Sequence, residues 1–537
     1  MLARVTLQRK TDEEVLIKSA NGGPSIALIF PNDYSSAVAN LGFNSVYAMA
    51  LLTGFRCERF VYNKEKNSQL RSIEHNRLLT DFDVWAFSVS FELDVLNVLS
   101  VFQKTHISAL SCKRNGSPLV IVGGAMTFFN PNSLWSVADV IFHGEIEGCT
   151  KFFEKMYSLL DQGMRGEKIL EELSGMSCLS IPTFGVKKVV LSKLKDLKKS
   201  LAESFFLSRY GAFGKRYLIE IERGCKRGCR FCVAGYVYRP MRYMELEEIK
   251  KRISSAIEYT KKLGLVAATV TDYPYLDELL DWMEDKIESL SVSSLRLDAL
   301  TPKLINSLVD FGEREITIAP ETGSQRLRDL INKKISESDI EQAIRYVKKS
   351  GLKRVKMYFM YGLPEEKRGD LDGIIDIVKN VKISLMLPYV SFNPFIPKPW
   401  TPFEDFKMLD EKELKQRQRY LSSTLGKMHV KFKFESVRLS RIQWVISTAS
   451  PELSEELAKT DAPFEVLKSV EKSWVPHRSW GYINGMEKSF LDSQKEMAFK
   501  FKTYPDCQIG ECEACGVCEK INNQGGIRSG KKADIGC

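Results

Sequence analysis

The sequence predicts an α/β protein in three parts: a doubly wound, Rossmann-like N-terminal domain, a partial (β/α)6 barrel, and a small C-terminal region that contains cysteines. Two observations predict this class. Short apolar runs alternate with helical segments along most of the chain, which is typical of parallel sheets with helical crossovers. The length of 537 residues also exceeds what one hydrophobic core usually supports, so several domains are expected.

The first domain is expected over residues 25–165, after an N-terminal extension of residues 1–24. One helix is predicted at "SSAVANLGFNSVYAMALLTG", and strands are predicted at "SIALIFP", "ERFVYN", "DVWAFSVS", "PLVIVGG" and "ADVIFHGE". Ligands of doubly wound sheets lie beyond the carboxyl ends of the strands. The loops "PNDY", "SFEL" and "GGAMT" follow three of these strands, and they are small and polar enough to approach a large planar cofactor.

A basic, serine-containing linker is expected over residues 166–214, and the barrel over residues 215–405. The predicted helices include residues 245–263 and 336–350, and the predicted strands are "RYLIEIERG", "LVAATVTDYP", "SLRLDAL", "EITIAPETG", "RVKMYFMYGLP" and "YVSFNPFIPKP". In such barrels the ends of the strands carry the chemistry. Residues 406–537 have a less regular pattern and contain a cysteine cluster at 507–518.

The composition, with 44% hydrophobic and 27% charged residues, is typical of a soluble globular protein. A net charge of +10 suits an anionic partner, and it equally suits a basic protein with no particular partner. The first 30 residues hold neither a membrane-spanning run nor a signal-peptide pattern, so no integral membrane segment and a cytoplasmic location are expected. Twelve cysteines in a reducing compartment favour metal binding over disulfides. Cys57, Cys112, Cys149 and Cys178 are scattered and are expected to be small buried side chains.

Three cysteines, Cys225, Cys229 and Cys232, lie on one turn after a predicted strand. Structural zinc needs four ligands, and no fourth cysteine or histidine lies nearby in sequence. A 4Fe-4S cluster held by three thiolates leaves one iron open to an exogenous chelator. The spacing therefore favours a cluster that does chemistry, and zinc with a remote fourth ligand is the alternative.

The segment "CKRGCRFC" resembles the CxxxCxxC signature of radical SAM enzymes, with Phe231 at the usual aromatic position. The resemblance implies that S-adenosylmethionine completes the cluster through its amino and carboxylate groups and is cleaved to a 5'-deoxyadenosyl radical. Four later segments are similar to elements of that superfamily: "TDYPYLDEL", "APETGSQRLRDLINKK", "MYGLPEE" and "NPFIPKPWTPFE". In the last of these, Trp400 stands where a histidine is expected.

The same resemblance implies further contacts with S-adenosylmethionine. They are Asp272 and Tyr273 to the methionine amino group, Glu321 and Ser324 to the ribose or carboxylate, and Gly362 and Leu363 beside the adenine. A low-potential electron donor of the ferredoxin or flavodoxin type is implied as a partner.

"VGGAMTFFNP" followed by "ADVIFHGEIEG" is similar to the cobalamin-binding class of radical SAM enzymes. This implies that Gly123 and Gly124 let the backbone approach a corrin edge, and that Gly144 and Glu145 close the next strand end. The DxHxxG motif that supplies a histidine to cobalt is absent. A domain that keeps the fold without cobalamin is the alternative.

The resemblance to one subgroup of that class extends beyond the core, through "PNDYSSAVANLGFNSVYAMA", "CVAGYVYRPMR" and "DCQIGECEACGVC". It excludes residues 434–462, where "STASPELSEEL" departs from the expected arginine-rich segment, so no substrate assignment is transferred.

A second cysteine set has the spacing C-x4-C-x2-C-x2-C, from Cys507 through Cys512 and Cys515 to Cys518. Four thiolates suit a closed auxiliary 4Fe-4S cluster, and the "CEACG" turn also suits a zinc knuckle. Both interpretations stay open. Cys537 is expected to be a free thiol.

The predicted function is radical modification of an unactivated C–H bond in an unknown substrate, with cobalamin-dependent methyl transfer as one outcome. Cobalamin-independent C–C or C–S bond formation is the second hypothesis. Methylthiolation is disfavoured within it, because no three-cysteine cluster motif precedes residue 225. A non-catalytic iron–sulfur redox or electron-transfer protein is the third hypothesis, and it predicts no release of 5'-deoxyadenosine.

Overall fold

A computed structural model describes residues 12–17, 22–65, 69–114, 116–293, 295–507 and 514–518. The chain divides into two compact units. The first unit comprises Met1–Ile219 and Val445–Gly485, and the second comprises Glu220–Trp444 and Met486–Cys537. None of the helices in the described residues combines the length and the hydropathy needed to cross a bilayer.

The described residues of the first unit up to Ser208 form nine strands. They are β1 (Glu13–Val15), β2 (Ser25–Phe30), β3 (Arg56–Val61), β4 (Val84–Ser88), β5 (Leu119–Gly123), β6 (Val140–Phe142), β7 (Leu179–Ser180), β8 (Val189–Val190) and β9 (Phe206–Ser208). Six of them form one sheet in the order β3–β2–β4–β5–β6–β7. Every pair in it is parallel except the antiparallel β6–β7 pair. β2 and β4 are almost wholly buried, as expected for parallel strands covered on both faces.

The helices of this unit are α1 (Tyr34–Ala39), α2 (Leu41–Leu52), α3 (Asp94–Thr105), α4 (Thr150–Asp161) and α5 (Glu167–Leu173). The single helix predicted after β2 is wrong, because Asn40 divides it. Asn40 has an extended backbone, and its side-chain oxygen accepts the Phe43 N–H at 2.8 Å to cap α2. The Asn40 amide also donates to the Ser90 hydroxyl at 3.1 Å, which ties this break to the end of β4.

The five strands predicted in the first domain are present, but the domain does not end at residue 165. Residues 166–214 were predicted to be a linker, and the structure places them in the first unit. The cause is apolar burial: Leu179 extends the main sheet at β7, and Phe206 lies in β9, which pairs antiparallel with β1. The predicted N-terminal extension therefore also contributes a paired strand.

A segment far along the chain completes the first unit. Residues 445–485 contain the helices Pro451–Lys459 and Pro463–Val470, and the strand Ile483–Asn484 pairs in parallel with β8. The buried Asn130 side chain donates to the carbonyls of Ser447 and Ala449 at 3.1 and 2.9 Å. These residues were predicted to belong to the C-terminal region.

The second unit begins at Glu220, the last residue of β10 (Tyr217–Glu220). Its other strands are β11 (Glu222–Arg223), β12 (Arg242–Tyr243), β13 (Lys262–Val266), β14 (Ser289–Val292), β15 (Glu315–Glu321), β16 (Arg354–Tyr361), β17 (Leu387–Pro394) and β18 (Lys431–Phe434). β13 and β14 pair in parallel, and Ile221, just after β10, donates its N–H to the Val266 carbonyl at 3.0 Å. A second parallel sheet has the order β15–β16–β17–β18.

Helices follow most of these strands. They are α6 (Ala234–Val237), α7 (Leu246–Ala256), α8 (Leu276–Met283), α9 (Pro302–Asp310), α10 (Gln325–Leu330), α11 (Glu337–Lys349), α12 (Arg368–Ile383) and α13 (Glu411–Lys427). The helix Val437–Ser447 leads back to the first unit, and Lys488–Phe499 forms the last described helix. The α/β class predicted from the sequence is confirmed.

The predicted strands of the second domain are partly correct. β15, β16 and β17 match their predictions, and α11 matches the predicted helix at 336–350, with Ser336 as its cap. The strand predicted at "LVAATVTDYP" lies earlier, at Lys262–Val266, and residues 297–299 of "SLRLDAL" form a helical turn. Ala267 in a loop and Val270 at the start of a helical turn are both buried, so their apolar character imitated a strand. β18 extends the sheet beyond the expected boundary at residue 405.

Candidate functional site

The segment Gly224–Cys232, which we call the cysteine loop, follows β11 directly. β11 pairs antiparallel with β12, so the chain that leaves the loop returns alongside the chain that enters it. Gly224 has a left-handed φ of +93°, and a Cβ there would lie 2.6 Å from the Tyr238 carbonyl oxygen. Only glycine fits this position, because a side chain would clash with the returning backbone.

The three thiols of the loop are partly or fully buried, with Cys229 at 8% exposure. Burial and then the neighbouring Cys229 raise the pKa of Cys225 to about 12, and burial also raises the pKa of Cys232. Backbone N–H groups oppose this by favouring thiolate: Arg227 donates to Cys225, and Ala234 and Gly235 donate to Cys232. Such donors aimed at sulfur suit metal thiolates, and metal binding here would release the thiol protons.

Two cations lie beside these thiols. Lys333 pairs with Glu321, with Nζ 2.8 Å from Oε1, and Arg296 donates to the Lys333 carbonyl at 2.8 Å. Burial opposes their charged forms. The pKa of Lys333 is nevertheless raised by Glu321 and Cys229, and that of Arg296 by Asp298 and Cys229. Positive charge near buried sulfur stabilises thiolates and an anionic cluster bound by them.

Among the described residues, no three His, Cys, Asp or Glu side chains are grouped as ligands of a single metal ion. In a cubane cluster each thiolate binds a different iron, so three thiols need not converge on one point. The thiol count, the N–H donors and the neighbouring cations of the cysteine loop therefore fit a 4Fe-4S cluster.

Asp272, predicted to contact the methionine amino group, lies against the cysteine loop. Arg227 Nε donates to its Oδ2 at 2.9 Å, and Lys226 Nζ lies 3.4 Å from its Oδ1. Tyr273 is 3% exposed, and its hydroxyl donates to the Met244 carbonyl at 3.0 Å. Asp272 therefore borders the loop, whereas Tyr273 is engaged by the protein backbone.

Glu321 and Ser324, predicted near the ribose or carboxylate, occupy the end of β15 and the start of α10. Glu321 has a left-handed φ of +68° and holds Lys333 beside the thiols. Ser324 caps α10 by accepting the Leu327 N–H at 3.3 Å, and its hydroxyl donates to Asp370. Glu321 is thus joined to the cysteine loop through Lys333, while Ser324 has a capping role.

Gly362 and Leu363, predicted beside the adenine, begin the turn after β16. Gly362 has a φ of +81°, and its N–H donates to Glu366 Oε2 at 2.7 Å. Glu366 is the last residue of "MYGLPEE", and sequence reasoning gave it no role. Burial raises its pKa to about 7, although the Arg417 guanidinium favours its charged form.

Phe231 and Leu363 meet in one apolar cluster, which joins the cysteine loop to the turn after β16. Its buried members are Leu327, Leu330, Ile331, Leu363, Phe395, Phe403 and Ala498, and Phe231 packs against it. The structure thus brings together two residues predicted to lie in one site.

In the first unit, Gly124, predicted at a corrin edge, and Gly144, predicted to close the next strand end, both lie against protein backbone. A Cβ at Gly124, where φ is +103°, would lie 2.5 Å from the Val89 carbonyl oxygen. A Cβ at Gly144, where φ is +114°, would lie 2.3 Å from the Ser192 carbonyl oxygen. No atom lies within 4 Å of a Cβ built on Gly123.

Glu145 and His143 are also engaged by the first unit. Glu145 accepts the Leu194 N–H at 2.8 Å, and the Ser192 hydroxyl donates to its carbonyl at 2.8 Å. The His143 ring nitrogens lie 3.0 Å from the Thr127 carbonyl and 2.9 Å from the Ser180 hydroxyl, and burial lowers the His143 pKa to about 4. These residues hold the strand ends to residues 192–194 and to β7.

The second cysteine set lies partly within the described residues, and Cys512 lies outside them. The Cys507 N–H donates to the Lys226 carbonyl at 2.8 Å, so Cys507 touches the cysteine loop. Cys515 and Cys518 are 3% and 8% exposed, and Cys515 packs with Tyr236 and Phe490. Sequence reasoning did not foresee this proximity, because a spacing pattern carries no long-range information.

Comparison with known proteins agrees with this geometry. The family model described as "Radical SAM proteins, N-terminal" matches residues 48–182, and the model described as "Radical SAM superfamily" matches residues 219–378, which include the cysteine loop. The chain belongs to the radical SAM superfamily. Membership implies a 4Fe-4S cluster and S-adenosylmethionine as cofactors.

This radical SAM protein is similar to several known proteins. The uncharacterized protein MJ0966 of Methanocaldococcus jannaschii is 29% identical over 452 residues, 83% of this chain and 94% of the relative. The threonylcarbamoyladenosine tRNA methylthiotransferase MtaB of Aquifex aeolicus is 24% identical over 342 residues, 59% of this chain and 76% of that protein. A solved structure of OxsB, a cobalamin-dependent S-adenosylmethionine radical enzyme, aligns with a TM-score of 0.48 and 16% identity over 89% of this chain and 72% of that one.

Proposed function

We propose that this chain is an enzyme that cleaves S-adenosylmethionine reductively at a 4Fe-4S cluster held by Cys225, Cys229 and Cys232. The single observation that carries the proposal is the cysteine loop, which combines the three thiols, backbone N–H donors to sulfur and neighbouring cations. A bound cluster would supply the electron that splits the sulfonium into methionine and a 5'-deoxyadenosyl radical, which abstracts hydrogen from the substrate.

The residues around the loop suit an amino-acid ligand with an ammonium and a carboxylate. Asp272, at one edge of the loop, supplies the negative charge that an ammonium needs, and Arg227 holds it in place at 2.9 Å. Lys333 supplies a positive charge beside the thiols, and Glu321 holds it at 2.8 Å. Because both charges are buried and paired, they are oriented before a ligand arrives.

The test is anaerobic reconstitution of the full chain with iron and sulfide, followed by measurement of 5'-deoxyadenosine under reducing conditions. The wild type is expected to bind iron at the loop and to release 5'-deoxyadenosine. Cys225→Ala, Cys229→Ala and Cys232→Ala are each expected to reduce the release at least about 100-fold, because the electron source is lost. Cys112→Ala, at an exposed cysteine of the first unit, is the matched control.

Two outcomes contradict this proposal. One is zinc at the cysteine loop of the oxygen-free protein. The other is a fully loaded iron–sulfur protein that never produces 5'-deoxyadenosine, which would favour an electron-transfer protein.

A second candidate function is methylthiolation, a form of C–S bond formation. It is favoured by similarity to proteins named tRNA methylthiotransferase and tRNA-2-methylthio-N(6)-dimethylallyladenosine synthase, at 24% and 22% identity. The deciding experiment incubates the reconstituted chain with S-adenosylmethionine, a reductant, a sulfide source and tRNA that carries threonylcarbamoyladenosine or N(6)-dimethylallyladenosine without a methylthio group, then digests the RNA. A new methylthio-nucleoside would establish this reaction, and its absence alongside 5'-deoxyadenosine release would leave the C–H modification of another substrate.

Cobalamin-dependent methyl transfer depends on a corrin in the first unit. Gly124, Gly144 and Glu145 have protein partners there, so these residues do not by themselves call for a corrin. Cobalamin therefore has no assigned role in the proposed reaction. Corrin absorbance that copurifies with the chain, together with 5'-deoxyadenosine release that rises on adding cobalamin, would establish methyl transfer.

The C-terminal cysteines complete the proposal as a second metal centre with Cys507, Cys512, Cys515 and Cys518 as ligands. Arg239, buried at 5% exposure, lies beside Cys507 and Cys515, and both thiols raise the pKa of Arg239 although burial opposes them. Metal analysis of the purified chain separates an auxiliary 4Fe-4S cluster from zinc. The partner that reduces the first cluster is proposed to be a ferredoxin or flavodoxin.

A further inference from the structure

The chain just before Cys507 lies along the cysteine loop. We call residues Lys502–Cys507 the C-terminal strap. Arg230 of the loop donates to the Lys502 carbonyl at 2.8 Å, and Arg227 Nη1 donates to Asp506 Oδ2 at 2.6 Å. The Cys507 N–H donates to the Lys226 carbonyl, so both ends of the strap are bonded to the loop.

Asn332 joins the middle of the strap to the same loop. Its side-chain amide donates to the Gly228 carbonyl at 2.9 Å, and its side-chain oxygen accepts the Tyr504 N–H at 2.8 Å. Asn332 is 1% exposed and has a left-handed φ of +53°. A buried side chain that bonds both partners fixes the distance between them.

Asp506 is the charged centre of this contact. Its two oxygens pair with Arg227 and Lys334, and its side chain is 25% exposed. Arg227 in turn pairs with Asp272, so one guanidinium holds two carboxylates, one from the strap and one from the edge of the proposed ligand site. Loss of Asp506 would leave Arg227 with a single anchor.

We propose that the C-terminal strap positions the cysteine loop and that Asp506 is its principal positioning residue. The proposal extends the proposed function, because the loop is taken as the cluster site. A loop with two glycines loses much conformational entropy when it is ordered, and cross-chain bonds must compensate for that loss. The strap supplies them at Lys226, Arg227 and Arg230, and Asn332, which also bonds the strap, supplies one at Gly228.

The strap also links the two cysteine sets. Cys507 ends the strap, and Cys515, whose carbonyl accepts the Glu487 N–H at 3.2 Å, lies with Cys507 beside Arg239. A metal bound by Cys507 and Cys515 would hold the strap at its end and would therefore favour the ordered loop. By linkage, a cluster in the loop would then favour metal binding at Cys507 and Cys515 to the same degree.

The test compares Asp506→Asn with Asp281→Asn in the full-length, anaerobically reconstituted chain. The Asp281→Asn variant also removes an ion pair between a carboxylate and a lysine, Lys303, but that pair is exposed. We expect backbone amides of Gly224–Cys232 to exchange hydrogen about 10-fold faster in Asp506→Asn, because a charge-assisted bond is lost. Iron transfer to a chelator is expected to accelerate similarly, and Asp281→Asn is expected to match the wild type.

Lys334→Met gives a graded test, because it removes one partner of Asp506 and leaves Arg227 in place. Its effect on exchange should lie between those of the wild type and Asp506→Asn. Wild-type exchange and iron transfer in Asp506→Asn would overturn the proposal. Hydrogen exchange needs no turnover, so a chain that never releases 5'-deoxyadenosine would contradict the proposed function and leave this result interpretable.

Discussion

The glycine-bearing strand ends of the first unit and the cysteine loop of the second differ in what surrounds them. At Gly124 and Gly144, the backbones of Val89 and Ser192 fill the space that a side chain would take. At the cysteine loop, two charged side chains lie near the sulfur atoms: Arg296 is 6% exposed, and Lys333 is half-buried and paired with Glu321. A glycine at a strand end indicates only that some backbone approaches closely, and that backbone can be the protein's own. Paired charges around buried thiols are a more specific indication of a ligand-binding site.

The cysteines of the two units also differ in their surroundings, which shift the thiol pKa in opposite directions. Cys149 and Cys178 of the first unit have thiols 3.6 Å apart, and a hydrogen bond from Cys178 lowers the pKa of Cys149 to about 7. Burial raises the pKa of Cys225 in the second unit instead. In the first unit, the neighbouring thiol of Cys178 stabilises the Cys149 thiolate. In the second unit, burial favours the neutral thiol of Cys225.

The largest effect is expected from Lys333→Met, which leaves Glu321, whose side chain is 13% exposed, without its cation. Breaking one partner of a buried ion pair costs about 3–5 kcal/mol, so the second unit should unfold at lower urea and bind less iron. Circular dichroism and iron analysis measure both. Lys303→Met, which breaks an exposed pair, is the control and should leave the midpoint unchanged. If the urea midpoint of Lys333→Met equalled that of the wild type, the Lys333–Glu321 pair would contribute no more to stability than the exposed Lys303–Asp281 pair.

The next effect is a pH dependence confined to the first unit. The His143 pKa is about 4 in the folded chain and about 6.5 when unfolded, so the unfolded state binds the proton at higher pH. The associated stability is complete above pH 6.5 and is lost as pH falls towards 4, by about 3 kcal/mol in all. Urea unfolding at pH 7 and pH 5 should show a steeper loss in the wild type than in His143→Gln. Equal losses would contradict the burial argument.

A smaller effect is expected from Gly144→Ala, because its φ is positive and a Cβ would meet the Ser192 backbone. The cost should be about 2 kcal/mol. Gly123→Ala is the matched control, since its Cβ would meet no atom within 4 Å, and it should change stability by less than about 0.5 kcal/mol. If Gly123→Ala instead abolished corrin binding with the fold intact, the first unit would be a ligand site after all.

The smallest effect concerns reactivity and leaves stability unchanged. Cys149 should react with iodoacetamide at pH 7 at least about 10-fold faster than the buried Cys57, because its thiolate is stabilised and that of Cys57 is not. Mass spectrometry after brief labelling measures the ratio, and labelling in denaturant is the control. Equal rates in the folded chain would show that the Cys178 contact has no chemical effect.

Local patterns predicted much of this molecule. The buried strands β2, β4 and β5 match their apolar runs, and the cysteine loop was identified from spacing alone. The position of β13 was missed, because Ala267 and Val270, which follow it in a loop and a helical turn, are apolar and buried like strand residues. Residues 166–214 were missed because their pairing partners, such as β1 for β9, lie far away in sequence.

The sequence by itself determined the alternation of strands and helices, the glycines at tight turns and the set of thiols on one short loop. Each of these depends on residues that are close together along the chain, where backbone geometry leaves few choices. Only the tertiary structure decided which backbone meets Gly124 and Gly144, and which segment holds the cysteine loop. Arg227 and Asp506 are 279 residues apart, and such a pair forms only when the intervening chain has packed.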